Sequence, residues 1–163
     1  TSQHPPTYPS PWHNKEEAQD ARRAVMTTPV WVLLAFAGWT LATLLFSVGM
    51  YRWSRILTGR VEIKAFRGDH VEGTDFYRRA MRAHMNCVEN LPVYGAIVVA
   101  MIASGARSAT LDRLSITLLT ARVAQTLVHL SVPQTNLVAS VRFAFFAIQL
   151  VCMVWMGVVV ASW

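Results

Sequence analysis

Long apolar blocks separated by polar stretches dominate the 163-residue chain. The first block, from Ala24 to Tyr51, contains no charged residue and is long enough to cross a hydrocarbon core of about 30 Å as a helix. Pro29 and Trp31 near one end and Tyr51 at the other are typical of membrane interfaces. The later blocks follow the same pattern, which predicts transmembrane helices at 29–52, 74–104, 109–130 and 136–160. The expected fold class is therefore an all-α integral membrane four-helix bundle.

The chain divides into two unequal parts. Residues 1–28 are rich in proline and polar side chains, which argues against a packed core and predicts a tail. Residues 29–163 hold the apolar blocks and form the predicted membrane domain. Between the first two blocks, the stretch from Arg52 to Asp75 is polar and interrupted by glycines, so we expect a loop there.

The charge distribution indicates a topology. Only 15% of the residues are charged, yet the net charge is +6. The arginines lie beside apolar segments, where they direct topology and contact anionic lipids, so we exclude a nucleic-acid-binding protein. Most of them lie between Arg52 and Arg82, which predicts that this side is cytoplasmic and that four spans leave both termini on the other side. The sequence is compatible with location in a bacterial inner membrane or in the endoplasmic reticulum. The lack of a C-terminal retrieval signal favours the bacterial inner membrane.

Three polar residues occur in the second block where a purely structural membrane helix would carry leucine. Arg82, Asn86 and Glu89 are spaced at i, i+4 and i+7, so a helix places them on one face. Such side chains are costly at membrane depth, and they are a functional-site hypothesis by default.

Polar residues of the other helices are expected at the same end of the bundle. Arg52 ends the first predicted helix, His129 ends the third, and Arg142 lies near the start of the fourth. Arg122 lies about two turns deeper than His129. A cluster with more arginines than carboxylates attracts anions, and an arginine also lowers the pKa of a nearby thiol. We therefore expect a site where an anionic thiol from the cytosol meets a lipophilic electrophile from the bilayer.

Structural roles stay open for several of these residues. Glu89 and Arg122 also fit pairs between helices or subunits, and Asn86 also fits an interhelical hydrogen bond. The cysteines, Cys87 and Cys152, fit small buried apolar fillers. The five histidines show no metal-ligand spacing, so no metal site is predicted.

Three stretches together are similar to one known family. The most specific is RAHMNCVENLP at Arg82–Pro92; the others are YRWSR at Tyr51–Arg55 and SGARSATLDRLSITLLTARVAQTLVHL at Ser104–Leu130. They resemble the MAPEG family, the membrane-associated proteins of eicosanoid and glutathione metabolism, and its microsomal glutathione transferase branch looks closest. The resemblance covers about Val30 to Val160.

The resemblance implies a homotrimer of four-helix subunits in contact with membrane lipids, with glutathione as cosubstrate bound between subunits on the cytoplasmic side. The positions that match glutathione-binding residues are Arg52, Arg82, His84, Asn86 and Glu89. The positions expected near the reacting thiolate are His129, Arg122 and Arg142.

The function expected from the residues and the resemblance is glutathione-dependent transfer or peroxide reduction on lipophilic electrophiles. The alternative is a non-catalytic subunit that binds lipid or acts as a scaffold in a larger membrane complex. Departures from the transferase pattern favour the alternative: Met81 stands where that branch has an arginine, His129 replaces a tyrosine, and no arginine directly follows the turn before the fourth helix.

Overall fold

The described part of the chain is entirely helical. The computed structural model describes residues 26–59 and 73–163, together with Lys15 and Gln19, so the predicted tail over 1–28 lies almost wholly outside the described residues. Within them there are four long helices and no strand, which confirms the all-α fold class. The helices are α1 (Thr28–Leu57), α2 (Asp75–Ser104), α3 (Ala109–Ser131) and α4 (Asn136–Ala161).

Local sequence explains where three of these helices begin. Thr74, Ser108 and Thr135 precede α2, α3 and α4, and each side-chain oxygen accepts the backbone N–H three residues further on, at 3.2–3.3 Å. These N-caps satisfy donors that a helix leaves without a partner in its first turn. Helix α2 ends at Gly105, whose φ of 69° is the left-handed conformation that glycine adopts without strain.

Helix α1 departs from the sequence prediction in two respects. It continues to Leu57 rather than ending at Arg52, so the polar stretch begins as helix, and residues 60–72 of the expected loop lie outside the described residues. Its middle, Leu44–Gly49, is a π-helical segment. Beside this segment the Thr43 hydroxyl donates to the Thr40 carbonyl at 2.8 Å, and short side-chain bonds of this kind compete with regular helix hydrogen bonding.

Three helices of the described chain, α1, α2 and α4, are long and apolar enough to cross a membrane. Helix α2 continues through Pro92 as one helix. Helix α3 is of similar length but more polar. Five of its polar side chains face inward and are buried: Ser115, Arg122, Gln125, Thr126 and His129. At most a third of the residues in each apolar span are buried inside the bundle. The molecule therefore turns many apolar side chains outward and buries several polar side chains between its helices, as suits a bundle surrounded by lipid.

An apolar core packs all four helices of the bundle together. It includes Phe36 from α1, Tyr94 from α2, Leu118 from α3 and Met156 from α4. The Tyr94 hydroxyl donates to the Pro29 carbonyl at 3.0 Å, which satisfies a polar atom within this core. The last residues of α1 and α3 and the first residues of α2 and α4 lie at the same end of the bundle. Most of the buried ionisable groups lie at this end, which is here called the Arg-rich end.

Candidate functional site

A basic cleft of about 250 Å³ opens at the Arg-rich end, between the start of α2, the end of α3 and the start of α4. Four of its residues are arginines, and the one carboxylate among its described lining residues belongs to Asp75. The lining residues are Asp75, Arg78, Arg79, Arg82, His129, Gln134 and Arg142. The structure thus brings together three of the residues singled out from the sequence: Arg82, His129 and Arg142.

His129 is held by all three helices that form the cleft. Its Nδ1 lies 2.9 Å from Nη1 of Arg142 on α4, and its Nε2 lies 3.3 Å from the Asn86 amide on α2. Its backbone carbonyl accepts a hydrogen bond from Nε of Arg79 at 3.1 Å. A guanidinium only donates hydrogen bonds, so Nδ1 of His129 is the acceptor and the neutral ring carries its proton on Nε2. The structure places Nδ2 of Asn86 against this nitrogen, so the amide accepts the Nε2 proton once its terminal oxygen and nitrogen are exchanged.

The four arginines of the cleft fall into two pairs. Arg79 and Arg142 are fixed by the protein, Arg79 through the His129 carbonyl and the Asp75 carboxylate, and Arg142 through the His129 ring. Arg78 and Arg82 are exposed. Arg82 makes no hydrogen bond or ion pair with another described residue. Its donors are therefore available to a ligand.

Arg52 lies outside the cleft. Its Nε donates to the Tyr77 hydroxyl at 2.7 Å, and its guanidinium carbon lies 5.7 Å from the centre of the Tyr77 ring. Tyr77 in turn stacks on Tyr51, with 4.4 Å between ring centres. Arg52 thus connects the end of α1 to the start of α2 through its contacts with Tyr77.

His84 faces α1 and not the cleft. Its Nδ1 lies 3.2 Å from the Thr43 hydroxyl. Because that hydroxyl donates to the Thr40 carbonyl, it accepts from the His84 ring, which places the ring proton on Nδ1. This contact joins α2 to α1 one residue before the π-helical segment.

Glu89 and Arg122 also lie away from the cleft lining. Glu89 is exposed on α2 and makes no hydrogen bond or ion pair with another described residue. Arg122 is only 1% exposed, and its Nη1 donates to Oε1 of Gln125 at 2.8 Å. Its Nε and Nη2 have no hydrogen-bond partner among the described residues, and its guanidinium carbon lies 5.8 Å from the Phe36 ring centre.

A deeper polar network connects Arg122 with the floor of the cleft. Gln125 accepts from Arg122 and donates its Nε2 to the backbone carbonyl of Arg142 at 2.8 Å. Gln149 donates to Gln125 at 3.2 Å and accepts from Asn90 at 3.4 Å. These bonds tie α2, α3 and α4 together beneath the cleft, and they fix the backbone of Arg142 independently of its side chain.

Sequence reasoning missed several residues of this arrangement. The sequence pattern assigns the arginines between Arg52 and Arg82 to topology and lipid contact, so it singles out neither Arg78 nor Arg79 for the site, and it places Asp75 only at the end of the polar stretch. The spacing of Asp75 and Arg79 at i and i+4, a favourable helix ion pair, is the pattern that indicates their contact. Gln134 lies in the turn before α4, where nothing in the sequence indicates a role.

The described residues hold no group of three or more histidine, cysteine or acidic side chains close enough to bind a metal ion. Both cysteines, Cys87 and Cys152, are buried and reduced. The side chains at the Arg-rich end provide guanidinium cations, amides, one neutral imidazole and the Asp75 carboxylate.

The four long helices of the described residues, with an apolar exterior, an apolar core, buried polar side chains and a basic cleft at one end, define a small all-α integral membrane protein. The model of the MAPEG family matches residues 29–162, and the chain belongs to that family. The family resemblance seen in the sequence is thereby confirmed, while the transferase branch stays a prediction. Neither a search of curated proteins nor a search of solved structures finds a match to the chain.

Proposed function

We propose that the protein is a glutathione-dependent transferase or peroxidase that acts on lipophilic electrophiles at a cytoplasmic Arg-rich end. The observation that carries the proposal is the basic cleft, in which arginine, histidine and amide side chains from three helices converge. Membership of a family that includes glutathione transferases and related enzymes supports the same class of reaction.

The charge of the cleft suits glutathione. This tripeptide carries two carboxylates, one ammonium group and one thiol, so at neutral pH it is a net anion. An arginine fork binds a carboxylate through two parallel hydrogen bonds, and charge-assisted bonds of this kind are about twice as strong as neutral ones. In this proposal the exposed pair, Arg78 and Arg82, binds the carboxylates, and the Gln134 amide binds the peptide backbone; their position in the cleft lining supports this assignment.

The cleft in one subunit is small for a complete binding site. Its volume of about 250 Å³ lies just below the ~300–1,000 Å³ usual for small-molecule sites. A second copy of the chain packed against α2 would enlarge the site and cover Glu89. The proposed homotrimer, with glutathione bound between subunits, supplies that second copy.

Arg142 is the cation best fixed for stabilising a thiolate. It is 8% exposed and oriented by His129, so its charge acts in a partly desolvated environment where electrostatic interactions are strong. In a transfer, the sulfur forms a bond to the electrophilic carbon and the leaving group departs with the bonding electrons. In a peroxidase reaction, two glutathione thiols transfer two electrons and two protons to a lipid hydroperoxide, which gives a disulfide, an alcohol and water. Outward-facing apolar side chains on α1, α2 and α4 adjoin the lipid phase that holds the electrophile.

Equilibrium binding of glutathione to the detergent-purified protein tests the proposal. Arg82→Ala removes an exposed donor from the cleft and is expected to weaken glutathione binding by at least about tenfold, since each tenfold is ~1.4 kcal/mol. Arg113→Ala is the matched control, because Arg113 is also exposed but lies near the start of α3, at the opposite end. Equal affinity in wild type and Arg82→Ala would contradict the assignment.

One observation favours the second candidate, a non-catalytic subunit that binds lipid or serves as a scaffold. His129 is 4% exposed and is hydrogen-bonded at both ring nitrogens, so it offers little to a substrate. Ultraviolet absorbance of bound thiolate, followed by turnover assays with the protein alone, separates the two candidates. A thiolate signal with turnover supports the enzyme. Glutathione binding without thiolate, or stoichiometric co-purification of other membrane chains, supports the subunit.

A further inference from the structure

The His129 ring joins two groups that the proposed site uses, the Asn86 amide on α2 and the Arg142 guanidinium on α4. Its Nδ1 lies 2.9 Å from Nη1 of Arg142, and its Nε2 lies 3.3 Å from the Asn86 amide. The His129 carbonyl accepts a hydrogen bond from Arg79, which fixes the backbone that carries the ring. Because His129 is buried and held at three points, the hydrogen bond at one ring nitrogen determines the hydrogen bond at the other.

The direction of these hydrogen bonds follows from Arg142. A guanidinium has no acceptor, so Nδ1 of His129 accepts and the proton of the neutral ring lies on Nε2. A second proton on the ring would be repelled by the positive charges of Arg142, Arg82 and Arg122. The ring therefore donates through Nε2, and the Asn86 oxygen accepts once the two terminal atoms of the amide are exchanged.

This direction decides which group Asn86 presents to a ligand. When the amide oxygen faces His129, the NH2 group points away from the ring with its two donors. Asn86 is half-buried and lies one turn from Arg82 on the same face of α2. That face then offers an amide donor beside a guanidinium donor, which suits the carbonyl and carboxylate oxygens of an anionic peptide. In the reversed orientation, the amide oxygen would face the ligand and repel the same oxygens.

We propose that His129 is a positioning residue with two separable functions: its Nδ1 holds the Arg142 guanidinium toward the thiol, and its Nε2–H turns the Asn86 NH2 group toward the bound peptide. This inference rests on the proposed function and assigns a role in it to a side chain that acts only through its neighbours. A neutral imidazole suits both functions because it carries one acceptor and one donor at a fixed separation. No covalent bond changes in this step.

Two substitutions separate the two functions, because asparagine and glutamine each reproduce the position of one ring nitrogen. His129→Asn places its oxygen near the position of Nδ1, so it keeps the acceptor for Arg142 but does not reach Asn86. His129→Gln places its amide near the position of Nε2, so it keeps the donor for Asn86 but leaves Arg142 without its acceptor. Thr126→Val, about one turn earlier on α3, is the matched control, since it removes a buried hydrogen bond with Trp39 outside the cleft.

Two measurements in detergent report the two functions: the pH midpoint of the thiolate absorbance of bound glutathione, and the affinity for S-methylglutathione, which has no thiol to ionise. His129→Asn is expected to keep the wild-type midpoint and to bind S-methylglutathione about fivefold more weakly, which corresponds to the ~1 kcal/mol of one hydrogen bond. His129→Gln is expected to keep the affinity and to raise the midpoint by about one pH unit, because a cation that no longer faces the sulfur stabilises the thiolate less.

The crossed result, in which each His129 variant changes a different measurement, supports the inference, because a purely structural role would change both measurements together. Thr126→Val is expected to match wild type in both measurements, whatever its unfolding temperature. Any other pattern in the two His129 variants overturns the inference, including wild-type behaviour of both. Failure of wild type to bind glutathione or to form the thiolate overturns the proposed function, and this inference with it.

Discussion

The contact between Arg142 and His129 gives the sharpest test of whether the cleft is a binding site or only a structural joint. Arg142→Met removes the cation but keeps a long apolar side chain. The backbone carbonyl of Arg142 still accepts its hydrogen bond from Gln125, so the start of α4 remains hydrogen-bonded to α3. His129 keeps its contacts with Asn86 and with Arg79. The substitution therefore acts chiefly on one charge and one hydrogen bond.

Two opposing contributions limit the effect of Arg142→Met on the free energy of unfolding. The lost bond to His129 involves a charged group, and bonds of that kind contribute about 1.5–3 kcal/mol. Removing a buried cation that lies near other arginines of the cleft regains desolvation and repulsion energy of several kcal/mol at most. The net change in the free energy of unfolding is expected to be within about 2 kcal/mol of zero. A guanidinium has five N–H donors and His129 uses one nitrogen, so the other donors are available to a ligand, and Arg142→Met is expected to weaken ligand binding by at least ~1.4 kcal/mol, or about tenfold in affinity.

Thermal unfolding in detergent and equilibrium glutathione binding on the same samples separate these effects. We expect Arg142→Met to bind glutathione at least about tenfold more weakly with little change in unfolding temperature. Arg142→Lys keeps the charge but loses the planar fork, and it is expected to fall between wild type and Arg142→Met. Unchanged glutathione affinity together with a clearly lower unfolding temperature would refute the reasoning and make Arg142 a structural residue.

Two further predictions concern the frame around the cleft. Gln149→Ala removes three hydrogen bonds of a fully buried amide and is expected to lower the free energy of unfolding by about 2 kcal/mol, measured by denaturation in mixed micelles, whereas Ile148→Ala on the exposed side of α4 changes it much less. Gly73→Ala is expected to destabilise by about 1–3 kcal/mol, because Gly73 has a φ of 149° and an added Cβ would lie 2.9 Å from Cδ1 of Tyr77. Gly157→Ala meets nothing within 4 Å, so its unfolding temperature should match or exceed that of wild type, and equal loss in both variants would contradict the steric explanation.

The helices were predictable because bilayer physics leaves a strong pattern in the sequence. Predominantly apolar stretches of membrane length define α2 and α4, and side-chain caps such as Thr135 fix their first residues. The end of α1 was misplaced because Arg52 to Leu57 is polar yet helical. The π-helical segment at Leu44–Gly49 was not predictable, since its apolar sequence is equally compatible with a regular helix.

The sequence predicts at which end of the bundle the site lies, but it does not predict which side chains contact one another there. Orientation alone brings His129 and Arg142 to one end, and the structure places them 2.9 Å apart. Rotation of each helix about its axis decides the rest: it turns His84 toward α1 and leaves Glu89 on the outer surface. That rotation depends on packing among several helices, which no single stretch of sequence specifies.

The inward polar face of α3 has a consequence for how the protein enters the membrane. A lone arginine such as Arg122 at the centre of a helix carries an insertion cost of about 2.5–3.5 kcal/mol, and Gln125 and His129 add to it. During synthesis α3 emerges before α4, which supplies two of its main polar partners, Arg142 and Gln149. We therefore expect α3 to remain beside the translocon or against α2 until α4 arrives, so that chain termination before α4 yields a product that is poorly integrated and is extracted by alkaline carbonate.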